Sequence, residues 1–267
     1  MYPTLFSIGR LNIATYTVLL DLGLILGLVL TYWEGRRQIG NGTLALDLGL
    51  WAVIGGIIGG RIGYVATHWS AFSEDWSRIL RLWEGGLSFH GAFLSGLLVL
   101  FLFAEFHRAD KGAVSFRQWG DIVTPGLALG ITFGWAACLM AACAYGRLGE
   151  GWGYTLLPDI YGIEAPRFAT QVAGLFFSLG LSVTFWLLRR HWPFPGAAFL
   201  MFVLIYFAGH FFLEFSRGDE AIYVGPWRLS QLVDLALALA AAVGLLLLWW
   251  KTRQKATPGK EEAPTPV

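Results

Sequence analysis

The chain has 267 residues, of which 56% are hydrophobic and only 14% charged, with a mean hydropathy of +0.58. Soluble domains carry about 25% charged residues, so the water-soluble globular class is excluded. The net charge of +1 comes with no basic patch interleaved with aromatics, which removes nucleic acid from the partners expected, whereas thirteen Trp and nine Tyr suit aromatic belts at two membrane interfaces.

A membrane-spanning helix needs roughly 20 apolar residues. Seven stretches qualify, at about 13–33, 46–67, 87–106, 122–144, 169–188, 196–215 and 229–250. They predict an all-α membrane protein with seven transmembrane helices in one domain over 1–250, without an internal repeat. The polar start MYPTLFSIGR lacks the basic n-region and short apolar core of a cleavable signal peptide. The polar, Pro-rich ending KTRQKATPGKEEAPTPV is expected to be a disordered tail over 251–267. Lys and Arg in alternate loops set the orientation. Arg36, Arg37, Arg108, Lys111, Arg117, Arg189, Arg190, Lys251, Arg253, Lys255 and Lys260 make eleven on one side. The other side has seven: Arg10, Arg78, Arg81, Arg147, Arg167, Arg217 and Arg228. The first side is therefore expected to be cytoplasmic, with the N-terminus outside and the C-terminus inside.

Several polar residues stand out in chain order. Arg61 lies inside the second span, in GGIIGGRIG, where a charge costs about 2.5–3.5 kcal/mol on insertion scales. It reads either as a structural ion pair or snorkelled side chain, or as a ligand for a lipid headgroup. The surrounding glycines allow a neighbouring helix to approach closely. His90 opens the third span within EGGLSFHGAF, on the outer side, as a helix-end imidazole or as a group that is paired or used. Cys138 and Cys143 fall in the fourth apolar run. On a continuous helix their Cα atoms stand about 8 Å apart, beyond the roughly 7 Å reach of a disulfide. They read as buried thiols, and are too few to make a zinc site by themselves.

The outer arginines come with carboxylates: Glu150 near Arg147, Glu164 near Arg167, and Glu214, Asp219 and Glu220 around Arg217. They form either surface pairs or a polar mouth for an anionic headgroup, which arginine recognises through its planar fork. In the sixth span, Tyr206, His210, Glu214 and Arg217 fall at i, i+4, i+8 and i+11 on one helical face. That face should look into the bundle, toward a cavity or toward structural partners. Asp234, an acid inside the last span, raises the same question.

Together these segments resemble the prolipoprotein diacylglyceryl transferase family over nearly the whole chain up to the tail. LFSIGRLNIATYTVLLDLGLILG resembles the family's first span, with Tyr16 at its usual tyrosine, and GGRIGYV its second. WEGGLSFHGAFLSG is similar to the family's W-E-G-G-[LM]-S-F-H-G-G, in which His90 matches the essential histidine. PRFATQ resembles P-x-x-P-[ST]-Q, YFAGHFFLEFSRGDE resembles Y-x-x-x-R-x-x-x-E-F-x-R-x-x-D, and WRLSQLVDLAL fits the last span. The resemblance implies seven spans with the N-terminus outside, in a bacterial plasma membrane. It also implies transfer of a diacylglyceryl group from phosphatidylglycerol to the thiol of a lipobox cysteine in a preprotein. No metal or other cofactor is implied.

The chain departs from that family at its signature, G-R-x-[GA]-N-F-x-N-x-E-x-x-G. Laid without gaps to end at Gly146, the signature covers GWAACLMAACAYG. Trp135 then replaces the arginine, Cys138 and Ala141 the asparagines, and Cys143 the glutamate. A register shifted to Gly146–Arg147 recovers only GRLG. His210 stands where helix 6 of the family has an arginine, while Glu214 and Arg217 match. The expected catalytic base is His90. The expected substrate-binding residues are Tyr16, Arg61, Arg147, Tyr206, His210, Glu214 and Arg217. The alternative is a non-catalytic lipid-binding protein on the same scaffold, acting as a subunit of a larger membrane complex. A transporter is disfavoured by the lack of repeat symmetry and paired discontinuous helices.

Overall fold

The structure, a computed structural model, describes residues 4–8, 11–82, 85–109 and 113–256. Among them are seven helices long and apolar enough to cross a membrane: α1 (Thr15–Ile39), α2 (Gly42–Thr67), α3 (Phe89–Phe106), α4 (Phe116–Ala141), α5 (Thr170–Leu188), α6 (Ala197–Glu214) and α7 (Leu229–Ala256). All seven expected spans are present. The last helix runs six residues beyond the expected boundary, so Lys251–Ala256 are helical rather than tail. Residues 257–267 lie outside the described residues, as do Arg10, Glu84, Lys111 and Lys260.

The helical membrane fold expected is present, and three short antiparallel hairpins decorate the bundle besides. They are β1 (Thr4–Ile8) with β2 (Leu11–Ala14), β3 (Tyr154–Pro158) with β4 (Glu164–Phe168), and β5 (Tyr223–Val224) with β6 (Trp227–Arg228). Each adjoins the same end of the bundle, beside the start of α1, before α5 and before α7. There the backbone polar groups left by the helices must find partners outside the spans.

Three of the helices, α2, α3 and α4, start where the sequence offers a side-chain acceptor. Asn41 accepts from the Leu44 amide at 3.0 Å, Ser88 from the Gly91 amide at 3.2 Å, and Ser115 from the Gln118 amide at 3.3 Å. Gly196, before α6, has no side chain to offer. Asp121 of α4 caps that helix instead, accepting from the amides of Gly196 at 2.6 Å and Phe199 at 3.0 Å.

Two glycine seams bring helices into backbone contact. A Cβ on Gly27 would sit 2.9 Å from the Gly126 carbonyl oxygen across α1 and α4, and one on Gly63 would sit 3.2 Å from the Gly91 Cα across α2 and α3. The close approach expected of the second-span glycines is therefore present. The main core surrounds α6: Phe199, Phe202, Val203, Tyr206 and Phe207 pack against Phe93, Ala128, Leu181, Phe185 and Ala238. Large apolar side chains such as Trp51, Ile62, Phe176 and Leu246 point outward, as lipid-facing helices require.

Candidate active site

The loop joining α2 to α3 is organised by Arg61. Its side chain is buried, and all five of its N–H donors meet backbone carbonyls. Nε donates to Ile79 at 2.8 Å, Nη1 to Gly85 at 2.5 Å and Gly86 at 3.0 Å, and Nη2 to Arg78 at 2.5 Å and Arg81 at 3.2 Å. The guanidinium also lies 5.2 Å from the centre of the Phe72 ring. Among the described residues Arg61 is thus neither ion-paired nor snorkelled, and its donors are taken up by carbonyls rather than left for a headgroup. It fixes the segment that delivers Ser88 to the N-terminus of α3 and places His90 in the first turn.

Three helices converge beyond that turn. His90 Nε2 of α3 lies 2.7 Å from Oδ1 of Asp234 in α7, and His210 Nδ1 of α6 lies 2.8 Å from Oδ2 of the same carboxylate. One buried aspartate therefore bridges two imidazoles. Asp234 is fully buried, the His210 side chain is 6% exposed and the His90 side chain is 16% exposed, so the cluster is open only on the His90 side. The rings are held by aromatic packing: Tyr206 stacks on His210 with centroids 5.7 Å apart, and Trp135 and Phe89 lie 6.0 and 5.9 Å from it.

The network continues past His210. Its Nε2 lies 3.9 Å from Oε1 of Glu214. The same Glu214 oxygen accepts from Arg217, and Oε2 accepts from Arg228 Nη1 at 3.1 Å and from Ser230 at 2.6 Å. Arg217 Nε donates to Asp219 Oδ1 at 2.9 Å, its Nη2 meets Oδ2, and Arg228 Nη1 reaches Oδ1 at 3.2 Å. Burial pulls the Asp219 carboxyl up, but Arg217 and Arg228 outweigh it and hold it below the usual carboxylate range. Burial likewise pulls Arg217 down, and Asp219 and Glu214 outweigh it, raising it above the ordinary value.

The face expected on α6 does point inward: Tyr206, His210 and Glu214 are buried, and Arg217 caps the row. Its groups meet one another and Asp234 rather than an open cavity. A cavity of about 340 Å³ opens instead at the opposite end, between Arg37, Gln118, Asp121, Arg189 and Pro195. Tyr16, half-buried at the start of α1, makes no hydrogen bond with the described residues and is not joined to the cluster.

Arg147 is exposed and its guanidinium has no hydrogen bond or ion pair among the described residues. Its backbone is pinned to the rim of the cluster, donating to the Ser216 carbonyl at 2.8 Å, and Gly146 bridges to Arg217. Arg167 pairs with Asp159 across the β3–β4 hairpin at 2.8 Å rather than with Glu164. Sequence reasoning gave Asp234 little weight and left Arg228 among the loop arginines. The available signal was an acid placed within an otherwise apolar span.

The two cysteines are disulfide-bonded, with Cα atoms 4.8 Å apart, and are not the buried thiols expected. The 8 Å expectation assumed that the helix continues. It ends at Ala141, and Ala142 takes a left-handed conformation (φ 55°) that folds Cys143 back toward Cys138, whose carbonyl accepts from the Cys143 amide at 3.1 Å. The Cys143 carbonyl is then held by Gln171 Nε2 at 3.0 Å, and Trp135 fills the space over Gly174. The positions matched to the family signature are therefore occupied by an indole, 6.0 Å from the His210 ring, and by a covalent crosslink.

The family model for prolipoprotein diacylglyceryl transferase matches residues 3–250. A phosphatidylglycerol–prolipoprotein diacylglyceryl transferase of Gloeobacter violaceus is 33% identical over 277 residues, covering 98% of this chain and 96% of the relative. The enzymes so named from Nostoc sp. and Lactobacillus acidophilus are 30% and 28% identical, covering 96% of this chain in each case and 92% and 91% of those relatives. Seven apolar helices, the His90 segment and a match over nearly the full length agree: the chain belongs to the prolipoprotein diacylglyceryl transferase family.

Proposed function

We propose that this protein transfers a diacylglyceryl group from phosphatidylglycerol to the thiol of a lipobox cysteine, at the outer face of a bacterial plasma membrane. The observation that carries this reading is the 2.7 Å contact between His90 Nε2 and Asp234 Oδ1, at the segment most similar to the family's. With Asp234 accepting a hydrogen bond from Nε2–H, the Nδ1 lone pair is left free, the arrangement of a base oriented by a carboxylate. The thiol gives its proton to His90. A sulfur–carbon bond forms at the glyceryl carbon as its bond to the phosphate oxygen breaks, and the electron pair leaves with glycerol phosphate. Arg147, exposed and unpaired at the rim, is the guanidinium free to meet that phosphate, since Arg61 and Arg217 are already engaged.

Two features support the outer placement. Lys and Arg are more numerous in the loops at the other end, and the Cys138–Cys143 disulfide lies at the site's end, where it suits an oxidising compartment.

The test follows glycerol phosphate release from phosphatidylglycerol in the presence of a lipobox peptide. Wild-type release should fall at least a hundredfold in His90→Asn, a typical contribution of general-base catalysis. Release that is equal in both proteins would sink the assignment. One observation favours the second reading, a non-catalytic lipid-binding protein: Arg217 and Arg228 are both taken up by Glu214 and Asp219. Bound phospholipid without release in either protein would select it.

A further inference from the structure

We infer that His90, His210 and Asp234 form a binding site for a divalent transition cation of the zinc class, with an open position that takes the acceptor thiol as a thiolate. The thiol role rests on the transfer reading above; the metal site does not.

The donor set is two imidazole nitrogens and one carboxylate, drawn from three different helices. Two histidines with one carboxylate and a vacant fourth position is the composition of catalytic rather than structural zinc centres. Tetrahedral zinc with bonds of about 2.0–2.1 Å separates its ligand atoms by about 3.3 Å. Here the contacts are 2.7 and 2.8 Å, and all three donors lie within 4.8 Å of one another. That range brackets the required spacing, so small rotations of the side chains suffice. Glu214 lies 3.9 Å from His210 Nε2, on the side where a ligating histidine commonly meets an outer carboxylate. The vacant position falls toward His90, the most exposed member, which gives thiol and ion one way in.

Charge points the same way. The connected cluster holds three carboxylates, Asp234, Glu214 and Asp219, against two guanidiniums, Arg217 and Arg228. With neutral imidazoles it carries one uncompensated buried negative charge, which is costly. A divalent cation reverses that sign and adds positive charge next to the place where the phosphate leaves.

The metal changes how the thiol is activated, not what is transferred. The sulfur loses its proton to solvent on coordinating the cation, since a metal-bound thiol is deprotonated outright. The thiolate then forms the sulfur–carbon bond while the carbon–oxygen bond to phosphate breaks, and glycerol phosphate carries off the electron pair. His90 is then a ligand through Nε2, and solvent takes the proton that His90 would otherwise accept.

The experiment uses the full chain in detergent, stripped with a chelator and titrated with cobalt(II) as a spectroscopic stand-in for zinc. One cobalt per chain is expected, with the visible absorption of a four-coordinate site. A lipobox peptide should add a thiolate-to-cobalt band, and a Cys→Ser peptide should not. Asp234→Asn, close in shape, and His210→Gln should each lose the visible band. Where a variant does not stay monodisperse, the wild-type titration decides alone. No cobalt uptake by the wild type overturns the site, as does uptake that both variants retain. Glycerol phosphate release that survives chelation with no metal bound overturns it too, while leaving the transferase reading intact. Cobalt bound at one per chain without any release supports the site and counts against transfer instead.

Discussion

Asp219 stands between two guanidiniums just outside the membrane-spanning helices, and its carboxyl is held below the ordinary value. A carboxyl depressed in the folded state stabilises above its unfolded value, near 4, and loses that contribution as pH falls through the folded value. The thermal unfolding midpoint should therefore be flat from neutral pH down to about 5 and drop below about 4. Asp219→Asn should lower the midpoint at pH 7 by the equivalent of roughly 1–3 kcal/mol, the worth of charge-assisted hydrogen bonds, and blunt the acid drop. An unchanged acid limb in the variant would mean that other carboxyls carry it. At this scale the sequence was informative about which residues matter and silent about their partners. His90 and the α6 row were legible from position alone. The bond from His90 to Asp234 spans 144 residues, and the five acceptors of Arg61 are backbone carbonyls that no side-chain pattern announces.

Among the elements, the helices were legible and their ends were not. Long apolar runs of about 20 residues leave little choice in a bilayer, where unpaired backbone cannot be tolerated. The hairpins escaped because strands such as Tyr154–Pro158 are short and lie in polar loops. The disulfide escaped because an alanine, Ala142, rather than a glycine, turns the chain at the end of α4. The start of α6 shows how one helix depends on another. Removing the Asp121 carboxylate strands the Gly196 and Phe199 amides in a buried place. Asp121→Ala should cost roughly 1–3 kcal/mol, read as a lower unfolding midpoint in detergent, with Asp121→Asn recovering part of the loss. A midpoint within error of wild type would show that the cap contributes nothing.

For the whole molecule, orientation is the property that decides where the chemistry takes place. Trp152 is 95% exposed in the loop before β3, at the same end as the His90–Asp234 cluster. A Trp152→Cys variant should be labelled in intact cells by a membrane-impermeant maleimide. Labelling only after the cells are broken would place that loop in the cytoplasm and reverse the assignment drawn from the loop charges.

The bridging aspartate also gives the protein a clock. Asp234 belongs to α7, and His90, its first partner, is 144 residues earlier. At roughly 5–20 residues per second, the histidine waits about 7–30 s on the ribosome before its carboxylate is even synthesised. A chain halted before Leu229 would carry six of its seven spans and both imidazoles, yet nothing to join them. The two imidazoles are thereby left unjoined until the last helix has been made, so under the proposed function the nascent chain meets phospholipid before its base is oriented.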